Sequence, residues 1–264
     1  MKAVILCGGR GTRIRDVSEV LPKPMLPIGN MPMLWHIMKL YSHYGVRDFI
    51  LCIGYKGWII KEFFLNYYAK TKDMTINISK HKSTVSIHHK ENDEDVDWNI
   101  TLAETGEDSQ TGARIWNILR YLDDNEKFFS VTYGDGIGNV DIKALTEMHI
   151  KNGLAGIVTA VRPSGRFGEI EISGKVVSEF NEKTNVSAGM INGGFMIFDK
   201  KALKKYLTPK KNSVLEIDVL PAIVKDKQLG VYQHDGFWQC IDTPRELDMV
   251  NELWNSPNPP WKVW

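Results

Sequence analysis

Two segments near the start of the chain carry the residue types that grip phosphate. The first is Leu6-Cys7-Gly8-Gly9-Arg10-Gly11-Thr12-Arg13, where an apolar run passes into a glycine-rich turn. Glycines let the backbone take positive φ and come close to a ligand. Successive N–H groups in such a turn form a concavity that suits an anion. Arg13 adds a fork of donors matched to phosphate oxygens. The second segment is Pro22-Lys23-Pro24-Met25. Proline fixes φ and restricts its neighbours, so Lys23 stands on a stiff arm. Together the two point to a nucleoside triphosphate held by its phosphates. The spacing is neither G-x-x-x-x-G-K-[ST] nor G-x-G-x-x-G, so this is not a P-loop or a dinucleotide fingerprint.

Carboxylates come later. Asp135 lies in Tyr133-Gly134-Asp135-Gly136, at the end of an apolar strand-like run. Ligands of open α/β sheets bind beyond the carboxyl ends of strands, so Asp135 is placed to meet a ligand or a metal, though Asp-Gly also forms turns. Asp242 follows another strand-like run and precedes Thr243-Pro244, where it reads as a helix cap or as a second carboxylate. Paired with Asp135 it would suit Mg²⁺, which takes one or two carboxylates plus phosphate oxygens and water. Thr105-Gly106 and Thr111-Gly112 flank a polar loop and a helix start, a place for a base edge or simply a capped helix. Arg166, in Gly165-Arg166-Phe167-Gly168, would suit a sugar or phosphate, or belong to a surface loop. Glu182-Lys183 is a pair aimed at a phosphate or a solvated pair. Asn192 offers both donor and acceptor beside Gly193-Gly194, where a sugar ring can approach.

These residues need a scaffold. The spacing predicts strands at Lys2–Cys7, Asp48–Ile53, Met74–Ile78, Ile100–Ala103 and Phe128–Tyr133, alternating with helices at Met33–Tyr44, Trp58–Ala69 and from Thr111 or Gly112 to Leu122. Asn30, Pro32 and Gly45 bracket the first helix as cap, first-turn proline and stop. Ile59, Phe63 and Tyr67 mark one face of the second. Residues 80–97 are polar and read as an insertion or exposed hairpin. Such β-α alternation argues for a parallel, doubly wound sheet. The second half predicts strands at Gly156–Val161, Glu169–Ile172, Val176–Phe180, Met190–Phe198, Leu229–His234 and Phe237–Ile241. Helices are predicted at Lys200–Tyr206, Glu216–Lys225 and Pro244–Trp254. The expectation is one α/β domain over 1–264, a nucleotide-binding half (1–140) and a sugar-binding and oligomerisation half (141–264).

Composition narrows the function classes. Of 264 residues, 33 are Lys or Arg and 32 Asp or Glu, for a net charge of +1. A nucleic-acid binder would carry a basic excess. Cys7, Cys52 and Cys240 are too far apart for a disulfide framework or a CxxC metal site. The histidines lack zinc-site spacing and no G-x-S-x-G elbow occurs. No apolar stretch reaches the ~18 residues of a membrane span, which suits a cytoplasmic protein.

The segments Gly8–Arg13, Pro22–Met25, Gly134-Asp135-Gly136, Glu182-Lys183 and Asn192-Gly193-Gly194 resemble the sugar-1-phosphate nucleotidylyltransferases. Further segments resemble the branch of that family that joins CTP to α-D-glucose 1-phosphate. They are Leu34–Lys39, Gly165–Gly168, Met190–Phe195, Gly236–Gln239, Asp242-Thr243 and Pro260–Lys262. The resemblance implies a Rossmann-like, mixed but mainly parallel sheet flanked by helices, with a small additional β region in the C-terminal half. It implies CDP-glucose and pyrophosphate as products, Mg²⁺ on Asp135 and Asp242, a homohexamer, and a place in surface-polysaccharide synthesis. Arg13, Lys23 and Lys183 would be catalytic. Leu6, Gly8, Gly9, Gly11, Thr12, Thr105, Thr111, Gly112 and Gly134 would hold the nucleotide, and Arg166, Glu182, Asn192 and Gly193 the sugar. The chain departs from the family in having Thr184 where a proline follows the lysine, and Ala113 where a glycine precedes Arg114. The same chemistry on another nucleotide or acceptor, or a silent nucleotide-sugar sensor, are the alternatives.

Overall fold

The computed structural model describes residues 1–9, 20–80, 82–89, 96–163, 169–173, 176–181 and 189–264. Ala3–Leu6, apolar on both faces, forms a wholly buried strand. It runs parallel to Asp48–Ile53 on one side and Phe128–Tyr133 on the other. Asn99–Glu104 adds a further parallel strand beyond Asp48–Ile53. On the opposite flank Met196–Asp199 pairs antiparallel to Phe128–Tyr133, then Gly156–Val161 antiparallel to it, and Leu229–His234 parallel to the last. The sheet is thus mixed and mainly parallel. Strand order steps outward from Ala3–Leu6 through Asp48–Ile53 to Asn99–Glu104, then returns to Phe128–Tyr133 on the other side of Ala3–Leu6, and the crevice beyond such a switch is where ligands bind in this architecture.

Alternation along the central strand divides the core. Ala3 and Ile5 join helix Met33–His43 on one face. Val4 and Leu6 face Ile115 and Ile118 of helix Thr111–Ile118, with Leu203, Leu215 and Ile223. Both faces are covered, which is why the central strands are buried and mostly apolar. Buried hydroxyls are matched: Tyr41 lies 2.7 Å from Ser130, and Ser130 donates to the Met196 carbonyl.

Several expected elements differ. Pro32 itself occupies the cap position of helix Met33–His43. Met31–Pro32 pairs with Pro27–Ile28, so Asn30 turns a small hairpin beside Gly29 (φ 60°) instead of capping. The expected Trp58–Ala69 helix is two helices, Gly57–Leu65 and Tyr67–Thr71, broken at Asn66. Its buried side is Gly57, Ile60 and Phe63. Polar residues 83–88 form a strand against Asp73–Ile78, an exposed hairpin. Met190–Phe198 is interrupted: Ile191–Asn192 and Met196–Asp199 both pair with Gly156–Val161, and Gly194 (φ 81°) and Phe195 (φ 34°) lie between. Residues 215–219 form a wide π turn before helix Leu220–Lys225.

An aromatic clamp closes one side. Trp261, 1% exposed, stacks on Phe237 at 5.5 Å and on Trp254 at 5.8 Å. The His36 ring sits edge-on to Trp254 at 4.5 Å. Its Nε2–H donates to the Ile28 carbonyl at 3.0 Å, and its Nδ1 accepts from Trp261 Nε1 at 3.4 Å. Burial holds the ring neutral, lowering its pKa to about 4.

Candidate active site

Pro22 is extended, and Lys23–Met25 make one 3₁₀ turn with Pro24 inside it. This turn drives Lys23 inward, to 8% exposure. It crosses the end of strand Phe128–Tyr133 so closely that a Cβ on Gly134 would lie 2.8 Å from Pro24 Cγ and 3.0 Å from the Leu6 carbonyl. Glycine is therefore required there. Lys23 Nζ lies 3.5 Å from Asp135 and makes a shorter contact with Asp242.

Asp135 and Asp242 are brought together by backbone. Gly136–Gly138 pairs antiparallel with Trp238–Cys240, and the Ile241 N–H donates to the Asp135 carbonyl at 2.8 Å. Asp242 is not the cap of helix Pro244–Trp254. Thr243 caps it, in a capping box with Glu246. Glu246 also accepts from the Asp242 N–H at 2.7 Å. The Asp242 carboxylate is thereby left facing the site.

Burial opposes charge on Lys23, but the hydrogen bond to Asp242 and the Asp135 charge outweigh it and raise its pKa. Burial raises the Asp135 carboxyl, with Lys23 pulling the other way and Asp242 adding to the rise. A third donor was not foreseen: Cys240 Sγ and one oxygen from each aspartate lie within 4.8 Å of one another. Burial, then the two carboxylates, push this thiol up.

Two cavities meet here. A smaller one, about 200 Å³, is bounded by Leu6, Gly8, Gly9, Gly134 and the start of helix Thr111–Ile118. A larger one, about 710 Å³, is bounded by Asn192, Gly193, Glu216, Trp238 and Asp242. Lys23, Thr111, Tyr133 and Asp135 line both. Thr105 lines neither; its hydroxyl donates to the Ile53 carbonyl and accepts from Arg114. Gly112 also stands back, packed so that a Cβ would meet Ser213 Oγ at 2.7 Å. Gly11, Thr12, Arg13, Arg166, Glu182 and Lys183 lie outside the described residues.

The walls are built differently. Under the smaller cavity Arg114, 4% exposed, donates to the Gly8 carbonyl at 2.8 Å and to Thr105 Oγ1 at 2.7 Å. It sets a positive charge beneath the glycine turn. In the larger cavity Glu216 accepts from Tyr133 at 2.5 Å and from Thr111 at 2.7 Å, while Asn192 donates to the Tyr133 oxygen at 3.2 Å. Trp238 Nε1 donates to the Gly193 carbonyl at 2.8 Å. Sequence reading gave Glu216 no role, because helical spacing placed it on an ordinary helix. The π turn and the distance to Thr111 leave no local pattern. Cys240 was missed because its partners are remote in sequence.

A family model described as nucleotidyl transferase matches residues 2–254. The chain is 41% identical to the glucose-1-phosphate cytidylyltransferase of Salmonella typhi, over the whole of both chains. It is 42% identical to a probable glucose-1-phosphate cytidylyltransferase of Bacillus subtilis, again over the whole of both. Among solved structures it is similar to HddC from Yersinia pseudotuberculosis, at TM-score 0.62 and 25% identity over 95% of this chain and 98% of that one. It also shares its fold with a putative glucose-1-phosphate thymidylyltransferase from Bacillus anthracis, at TM-score 0.65 and 18% identity over 98% and 96% of the two chains. With its glycine turn, buried lysine and paired aspartates at the switch point, the chain belongs to the nucleotidyl transferase family, among the sugar-1-phosphate nucleotidylyltransferases.

Proposed function

We propose that this enzyme joins CTP to α-D-glucose 1-phosphate, giving CDP-glucose and pyrophosphate. The full-length relatives support that substrate pair. The observation that carries the reaction type is the meeting of two cavities at Lys23 and Asp135. One takes the nucleotide and the other the acceptor, so their phosphates converge on one cationic side chain.

An oxygen of the acceptor phosphate attacks the α-phosphorus of CTP as the bond to the β-phosphate oxygen breaks. A phosphate dianion is already a nucleophile, so no general base is required, and catalysis rests on positioning and charge neutralisation. Lys23 neutralises the α-phosphate as charge builds. Leu6, Gly8, Gly9, Thr111 and Gly134 form the nucleotide wall, with Gly11, Thr12 and Arg13 assigned to its phosphates. Thr105 and Gly112 act from behind that wall. Asn192 and Gly193 orient the hexose, with Arg166, Glu182 and Lys183 assigned to it and its phosphate. Asp135 and Asp242 would hold Mg²⁺. The pair suits a cation, since the Lys23 ammonium already lies against both carboxylates. The metal, when bound, adds positive charge on the phosphate oxygens.

A homo-oligomer, by resemblance a hexamer, is consistent with exposed apolar surface at Trp58, Leu65, Tyr68, Ile76, Ile78 and Val85. No helix among the described residues is long and apolar enough to cross a membrane. We assign the reaction to the cytoplasm.

Pyrophosphate release with Mg²⁺, across CTP, UTP, dTTP, ATP and GTP and a panel of phosphorylated acceptors, tests the proposal. Turnover confined to CTP with glucose 1-phosphate is the expected result. Turnover with CTP and another acceptor would retain the chemistry and replace the sugar. Binding of CTP without turnover on any acceptor would mark a sensor.

A further inference from the structure

The paired aspartates do not stand alone. Cys240 is the last residue of strand Trp238–Cys240, directly opposite Gly136, the neighbour of Asp135. Its Sγ lies with the Asp135 and Asp242 oxygens inside a 4.8 Å triangle. All three residues line the larger cavity, so the triangle is reached from solvent. The same backbone pairing that fixes the carboxylates fixes the sulfur, through the Ile241 N–H bond to Asp135. The Lys23 ammonium lies against the two carboxylates, showing that a positive charge is accommodated among them.

Two carboxylate oxygens and one sulfur are an unusual donor set for a site that serves Mg²⁺. Magnesium takes oxygen donors and keeps its waters. Thiolate favours zinc-class cations, for which three protein ligands and one open position are a common arrangement. We infer that Asp135, Cys240 and Asp242 form a three-donor site that takes a thiophilic divalent cation, such as Zn²⁺ or Co²⁺, in preference to Mg²⁺ when no nucleotide is bound. The Sγ–H bond breaks as the sulfur–metal bond forms, and the proton passes to solvent. The Lys23 ammonium leaves the carboxylates as the cation arrives. The site so filled withholds both aspartates from Mg²⁺, and zinc-class cations act as inhibitors competitive with it.

This inference rests on reading Asp135 and Asp242 as cation ligands, and the test separates the two. Co²⁺ is titrated into the nucleotide-free full-length protein, and thiolate-to-cobalt charge-transfer absorbance is followed alongside calorimetric binding. The expected result is a charge-transfer band that saturates with binding, is bleached by Zn²⁺ and is left in place by an equal concentration of Mg²⁺. Cys240→Ser removes the band and weakens Co²⁺ binding by about 10- to 100-fold or more, the cost of a lost supporting group at a metal site. In the unmutated protein, peptide mass spectrometry reads alkylation of Cys240, which Zn²⁺ suppresses and Mg²⁺ does not. This second measurement needs no variant to fold. Co²⁺ binding with no charge-transfer band, or Cys240 alkylated equally with and without Zn²⁺, overturns the inference even if Mg²⁺-dependent turnover is intact. A band that appears in a protein with no Mg²⁺-dependent turnover supports the site and instead removes the proposed reaction.

Discussion

The two cavities share a floor and differ in how their walls are made. The smaller includes a glycine stretch of wall, Gly8-Gly9 and Gly134, with Arg114 bound to a carbonyl behind it. The larger is walled by side chains that hold one another, Asn192 to Tyr133 to Glu216 to Thr111. On the proposed reading, a glycine stretch of wall would meet what all nucleotides share and tolerate little change, because its main-chain groups cannot be exchanged one at a time. A side-chain wall can be rewritten singly, and selectivity among acceptors is where such a wall is useful. The contrast predicts that changes on the nucleotide side act through shape and stability, and changes on the acceptor side through the Michaelis constant of one substrate.

The largest effect belongs to the floor. Lys23→Ala is expected to lower kcat by about 10²- to 10³-fold, the usual cost of one lost transition-state charge contact. Pre-steady-state quench kinetics would read this at the chemical step, and near wild-type turnover would remove Lys23 from the mechanism.

A change at neither wall comes next and calibrates the rest. The His36 pKa is about 4 in the fold against an ordinary 6.5. The folded chain therefore binds fewer protons than the unfolded chain between those values. The stability from a neutral ring is complete above pH 6.5 and is lost as the pH falls toward 4. About 3 kcal/mol is at stake over that window. Urea unfolding at a series of pH values should show the slope in the wild type and flatten it in His36→Gln. An equal slope in both would assign the acid lability elsewhere.

Gly134→Ala should break the backbone wall. The added methyl meets Pro24 and the Leu6 carbonyl, which cannot rotate away. A loss of about 1–3 kcal/mol in unfolding free energy is expected, with a raised KM for CTP as the Lys23 arm is displaced. An unchanged melting curve would show that the arm yields easily.

The smallest expected effect is also the most discriminating. Glu216→Gln keeps the volume and removes the charge that Tyr133 and Thr111 bind. A charge-assisted hydrogen bond contributes about 1.5–3 kcal/mol. The KM for the acceptor should rise about tenfold or more while the KM for CTP stays within twofold. A rise in the CTP term alone would merge the two walls into one.

How much of this was legible in sequence depends on the reach of the interaction concerned. Ala3–Leu6, Asp48–Ile53 and Phe128–Tyr133 were readable because strands covered on both faces are rich in apolar residues. Asp135 was readable because it follows such a strand directly. Asp242 was ambiguous until Thr243 took the cap, a competition between adjacent residues that only geometry decides. Glu216 and Cys240 left no local trace. Glu216 reaches Thr111 across 105 positions of chain, and Cys240 meets Asp135 through a pairing of two three-residue strands. The break in Met190–Phe198 was hidden because apolar residues at both ends read as one strand, while the turn in the chain falls at Gly194 and Phe195.

The aromatic clamp has a consequence for the order in which the chain becomes an enzyme. Trp261 and His36 lie 225 positions apart. The layer supporting Phe237, and with it the strand that carries Cys240 toward Asp242, is complete only when Trp261 has packed on it. Nascent chains and products of premature termination would hold the Gly8 turn and the Lys23 arm without the second carboxylate firmly in place. The clamp thus ties the first long helix, through His36, to a segment that follows the second carboxylate, so the pairing of the two aspartates leans on contacts made far along the chain.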